Sequence, residues 1–205
     1  MKKCFFFLLV FNLFLGLNNT NAQSFTKGKV AISAGYGFGN LGNIIVNNLS
    51  NYINLNHEIL SLETSSKGPY FGKIEYGINK NFGVGINFVR LTSEANFDVK
   101  LTGDSVLYQA TISRIGYSIT PRFNWHIFPT KKFDSYIGIG LGYRNTDYNY
   151  TSSRPNLFED KEFTDFPISF ELTVGAKYMF IENVGIYTEL GFSRAIFQLG
   201  IVGQF

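Results

Sequence analysis

The 205-residue chain has one cysteine, one tryptophan, two histidines, two methionines and five prolines, and only 16% of its residues are charged. Soluble domains usually carry about a quarter charged residues, and a charge-poor chain this rich in apolar side chains (45%) is not a disordered polyelectrolyte. Two histidines and one cysteine are too few for a rich metal site, and no metal-ligand spacing or cofactor motif is present. No metal or cofactor is expected. Beyond the N-terminus no apolar run is long enough to cross a membrane as a helix. What the chain has instead is 22 Phe, 12 Tyr and 21 Gly. Aromatics fit pleated surfaces and glycine is costly inside a helix, so this mixture favours strands.

The first 22 residues read as a secretory signal: Lys2 and Lys3, an apolar run from Cys4 to Leu17, then Asn18-Asn19-Thr20-Asn21-Ala22. Cleavage after Ala22 leaves residues 23–205 as a single domain and removes Cys4, the sole thiol. Loss of Lys2 and Lys3 brings the formal net charge from +3 to +1, which offers nucleic acid nothing to hold. The mean hydropathy of +0.03 belongs to a chain whose apolar residues are spread rather than bunched.

They are spread by alternation. Val30, Ile32, Ala34, Tyr36 and Phe38 alternate with small residues over 27–38. Similar runs follow at 70–78, 82–88, 108–127, 137–144, 166–180, 184–192 and 197–205, which makes eight strands. Pro121, within the fourth, implies a lost ladder bond or a bulge. Eight alternating strands suit a soluble sandwich, a lipocalin-like barrel or a membrane barrel. Three features favour the last. The connections alternate between long (39–67, 95–107, 145–165) and short (79–81, around Pro129, 181–183), as expected when one end meets the periplasm and the other the exterior. The polar faces carry Lys73, Glu75, Arg114, Arg122, Arg144, Glu171, Lys177 and Glu189 within strands, interleaved with glycine, which suits a narrow lumen. Aromatics such as Tyr36, Phe38, Tyr70, Trp125, Phe128, Phe133, Tyr136, Tyr178 and Phe180 gather near strand ends, where membrane interfaces favour them.

These features, with a last strand that closes on Phe205 after Phe197, Leu199 and Ile201 at alternate positions, resemble the small outer-membrane β-barrels of Gram-negative bacteria, the OmpA-, OmpX- and OmpW-like family. The resemblance implies an all-β, eight-stranded antiparallel up-and-down transmembrane β-barrel in the outer membrane. It also implies recognition of Phe197, Leu199, Ile201 and Phe205 by the barrel-assembly machinery, and outer-membrane lipid as surroundings.

Site signals are sparse. His57, Glu58 and Ser61 in the first long connection resemble a hydrolase constellation of the lipid-processing barrels, but residues this close in sequence are usually just solvated. His126 reads as a lumen residue near the periplasmic rim. The sequons Asn48-Leu49-Ser50 and Asn149-Tyr150-Thr151 carry little meaning in a bacterial outer membrane. Leu41, Ile44, Ile45, Leu49, Tyr52 and Ile53 fit a short amphipathic helix, and a disordered or β-extended loop fits equally well. Strand position predicts a lower charge cluster of Glu75, Arg122, Lys177 and Glu189 and an upper pair of Arg144 with Glu171; these bulky side chains are expected to fill the lumen, and the glycines at 83, 85, 138, 140 and 142 are the counter-signal, with room for a one-sided void or a water-filled pocket. The expected function is non-enzymatic: a structural or surface-interaction barrel whose loops meet an extracellular partner. OmpW-like uptake of a small apolar molecule is the alternative.

Overall fold

A computed structural model of the protein describes residues 25–40, 57–101, 106–153 and 166–205. Eight strands run in chain order: β1 (Val30–Asn40), β2 (His57–Gly77), β3 (Phe82–Leu101), β4 (Leu107–His126), β5 (Phe133–Ser152), β6 (Ile168–Ile181), β7 (Val184–Phe192) and β8 (Ala195–Gln204). Each pairs antiparallel with the next, and β1 pairs with β8 to close the barrel. Closure is completed at the very end of the chain, where Val30 and Phe205 exchange backbone hydrogen bonds of 2.9 Å in both directions. With no sheet edge left in the wall, the backbone groups pair from strand to strand all the way round, as crossing lipid requires.

Alternation divides the wall into two faces. Outward residues are apolar and exposed along every strand, from Ile74 (56% exposed) on β2 to Leu141 (64%) on β5 and Val174 (60%) on β6. Such exposure would be prohibitive in water and is what a lipid-facing belt requires. On β6 the belt runs from Ile168 to Phe180, roughly 25–30 Å at the usual strand rise and tilt. Aromatic rings bound it, Tyr36 against Tyr70 (5.4 Å) and Phe38 against Phe197 (5.9 Å) at one rim, Tyr178 against Phe180 (5.6 Å) at the other. Tyr136 departs from the expected girdle. It points inward and is 2% exposed, because it shares the inner face of β5 with Asp134 and Gly138.

The strands are longer than sequence alternation marks. β2 begins at His57, β3 runs to Leu101, β4 starts at Leu107 and β5 reaches Ser152, so much of the connections expected at 39–67, 95–107 and 145–165 is strand. The physical reason is that these stretches stand above the lipid, where an outward residue has no need to be apolar. Cross-strand hydrogen bonding continues without the hydrophobic signal. The helix expected over 41–53 lies outside the described residues. Among the described residues β1, β6, β7 and β8 stop near the rim while β2 to β5 rise beyond it. Register passes Pro121 unchanged on both sides, and only the β4–β5 pairing lapses at 120–121, so there is no bulge there. The irregularities sit instead at Ile59/Ser61, Lys67/Tyr70 and Met179/Ile181.

Candidate functional site

The inner face is filled by polar side chains organised in two layers. In the middle layer Glu189 of β7, 1% exposed, lies 2.7 Å from Lys73 Nζ and 3.2 Å from Arg122 Nη2, and accepts the Tyr136 hydroxyl at 2.7 Å. Arg122 Nη1 stands 3.5 Å from Glu171 Oε2, while Nη2 donates to Thr173 Oγ1 at 3.0 Å. Glu171 also accepts Asn87 Nδ2 at 2.7 Å, and Lys73 donates to Gln198 Oε1 at 2.7 Å. In the layer nearer the short turns Glu75 receives Lys177 Nζ at 2.6 Å, Asn124 Nδ2 at 2.6 Å and His126 Nε2 at 2.9 Å. His126, fully buried, has its Nδ1 2.8 Å from both Asp134 oxygens. Both ring nitrogens thus face carboxyl oxygens, and an imidazolium can donate to both. Four cations (Lys73, Arg122, His126, Lys177) then balance four carboxylates (Glu75, Asp134, Glu171, Glu189), as charges buried this deeply must be balanced.

Apolar and basic side chains occupy both ends of this interior. Phe25, fully buried, stacks on His126 with centroids 3.6 Å apart and caps the end that carries the short turns, helped by a hydrogen bond from Gly28 N to Gly77 O (2.8 Å). Toward the other mouth Phe71, Val89 and Ala195 pack together, and Arg194 of the β7–β8 hairpin is folded inward to donate to Tyr117 O at 3.3 Å. The glycines do not leave a void. A Cβ at Gly138 would collide with the Arg122 guanidinium, and one at Gly175 with the Tyr136 ring, so the missing side chains are the space in which large ones lie. Among the described residues a cavity of about 10 Å³ remains between the layers, lined by Lys73, Glu75, Arg122, Tyr136, Lys177 and Glu189, room for a single water.

Six of the eight charges expected in the lumen, Lys73, Glu75, Arg122, Glu171, Lys177 and Glu189, therefore converge. Arg114 is buried higher on β4 with its guanidinium 5.8 Å from the Tyr148 ring. Arg144 does not pair with Glu171. Register places Glu171 opposite Gly140, well below Arg144, whose Nε donates instead to Phe166 O at 2.6 Å. Asp134, Tyr136, Asn87 and Phe25 were not anticipated. The first three follow from strand parity, since each shares a face with an expected lumen residue, whereas nothing in the sequence marks Phe25 as a cap. The expected assembly residues Phe197, Leu199 and Ile201 lie on the lipid face of β8, and Phe205 makes the closing bonds to Val30. His57, Glu58 and Ser61 fall in strand β2, and Ser61 Oγ donates to Asp98 Oδ2 at 2.7 Å.

Above the rim β2 to β5 form a four-stranded sheet whose outward rows are polar. One row holds Glu63, Asn96, Thr111 and Thr151, the next Ser65, Glu94, Ser113 and Asn149. Thr111 Oγ1 donates to Asn96 Oδ1 at 2.7 Å across β3 and β4.

The sequence matches the family model described as outer membrane protein beta-barrel domain over residues 7–198. The chain belongs to this outer-membrane β-barrel family. The barrel is therefore an outer-membrane protein, and barrels of this kind carry short turns on the periplasmic side and longer connections outside. Solved structures similar to it include Ail, the attachment invasion locus protein of Yersinia pestis (16% identity, 87% of this chain and 99% of that one, TM-score 0.40), a structure also solved with the heparin analogue sucrose octasulfate. The N-terminal barrel of Pseudomonas aeruginosa OprF (14%, 88% and 99%, TM-score 0.38) and the outer-membrane protein OprG from the same organism (11%, 88% and 97%, TM-score 0.48) are similar too. No curated protein matches the sequence.

Proposed function

We propose that this outer-membrane barrel is a surface-interaction protein whose working part is the raised β2–β5 sheet rather than its lumen. The observation that carries the reading is the asymmetry of the strands. β2 to β5 span 20 or 21 residues each while β1, β7 and β8 span 9 to 11, so half of the wall continues roughly 25–30 Å beyond the rim. Lipid anchoring needs none of that length. A polar, hydrogen-bonded sheet held clear of the membrane presents a rigid face to an extracellular partner, and rigid sites bind with less ordering cost than loops. The polar, charge-paired interior supports this reading over uptake of an apolar molecule, which such a lining would solvate poorly.

The test is to replace residues 93–114, the upper β3–β4 hairpin, with a tight turn and display both forms on cells. Assembly of each is checked by resistance to detergent unfolding before boiling, and adhesion and cell–cell aggregation are compared. Loss of adhesion in the trimmed form with assembly intact is expected. Equal adhesion by two equally assembled forms would refute the reading.

A further inference from the structure

The periplasmic rim is strongly basic. Lys27 and Lys29 precede β1, Lys80 sits in the Asn79–Asn81 turn and Lys131 and Lys132 in the turn before β5, while the β6–β7 turn holds the single acidic residue Glu182. Lys27, Lys80, Lys131 and Lys132 are exposed and, among the described residues, form no ion pair or hydrogen bond through their side chains, whereas Lys29 is half-buried beside Glu182. Three of these lysines bracket one point of the wall. Trp125, at the end of β4, pairs with Phe82 immediately after the Lys80 turn and is followed directly by the turn that carries Lys131 and Lys132. Both turns are fixed in place. Asn81 Nδ2 donates to His126 O at 2.9 Å, Thr130 N and Oγ1 donate to Phe133 O at 2.7 and 2.8 Å, and Met179 N donates to Lys132 O at 2.7 Å.

We propose that this sector binds anionic phospholipid headgroups of the inner leaflet. The ammonium groups of Lys80, Lys131 and Lys132 would engage the phosphodiesters, with Trp125 and Phe128 against the acyl chains. Lipid is favoured over a soluble acidic partner by Phe128, which is 67% exposed in the same turn as the lysines and belongs at the headgroup boundary. Lysine stems beside an apolar belt lie along it and present their charge at headgroup depth. The basic residues also come from three separate segments along the rim, so their charge is spread along a lipid boundary rather than gathered at one point. An ammonium near an anionic bilayer surface is worth about fivefold in local preference, so full engagement of even one of the three sets a preference of about fivefold at low salt.

Because Trp125 is the only tryptophan, it reports on its own lipid contacts. The mature chain is refolded in mixed phosphatidylglycerol–phosphatidylcholine bilayers, with bromine on the acyl chains of one lipid or the other. The two quenching curves give the relative affinity of the lipids at Trp125. At ~20 mM salt phosphatidylglycerol is expected to be favoured about fivefold, and the preference should vanish toward ~1 M salt, where the Debye length is ~3 Å. The combined Lys80→Gln, Lys131→Gln and Lys132→Gln variant removes no internal contact, should assemble normally, and should show equal quenching by the two lipids. Equal quenching in the unaltered protein at low salt would overturn the proposal and leave the lysines to a soluble acidic partner. A preference that survives all three substitutions would overturn it as well.

Discussion

Glu189→Gln is the sharpest probe of the interior. The carboxylate is 1% exposed and is the shared counter-charge of Lys73 at 2.7 Å and Arg122 at 3.2 Å, with the Tyr136 hydroxyl as a third partner at 2.7 Å. The amide keeps the shape and one acceptor but removes the charge, so Lys73 is left with Gln198 and Arg122 with the more distant Glu171 at 3.5 Å. Breaking a buried pair by deleting one partner costs roughly 3–5 kcal/mol, a hundredfold or more in the folding equilibrium. Glu171→Gln should cost less, because Arg122 retains its closer contact with Glu189. Adding Lys73→Met to Glu189→Gln removes the stranded ammonium and should return part of the loss. The measurement is urea unfolding of the refolded mature protein in detergent, followed by the mobility difference between folded and unfolded chains on a gel. Losses below about 1 kcal/mol for both Glu189→Gln and Glu171→Gln would place these charges in the range of solvated pairs and refute the account of the lumen as a dry, paired network.

Two further outcomes follow from the same packing. Gly138→Ala drives a methyl into the Arg122 guanidinium and should lower stability by about 1–3 kcal/mol, whereas Gly72→Ala, with no atom within 4 Å of the new Cβ, should be close to neutral; the same unfolding assay compares them. In planar bilayers the refolded protein should be silent or show only rare flickers, since an eight-stranded interior is filled by side chains, and steady nanosiemens-scale steps would move it into the porin class.

Sequence alone determined the wall. A strict period of two over eight segments marks a two-faced sheet, the alternating connection lengths, charged and glycine-rich polar faces and aromatic strand ends single out a closed barrel in lipid, and the same parity assigned Lys73, Glu75, Arg122, Lys177 and Glu189 to the inside. Partner choice was beyond it. Which charges meet depends on the stagger between strands, and the stagger put Glu171 beside Arg122 and Asn87 while leaving Arg144 to the Phe166 carbonyl. The raised sheet was hidden for a related reason: past the lipid rim the outward residues of β2 to β5 turn polar, so the hydrophobic period fades while the hydrogen-bonded ladder goes on. Phe25 is the extreme case. A lone phenylalanine ahead of the first strand has no periodicity to betray it, and only closure of the barrel brings His126 and Lys177 beneath its ring.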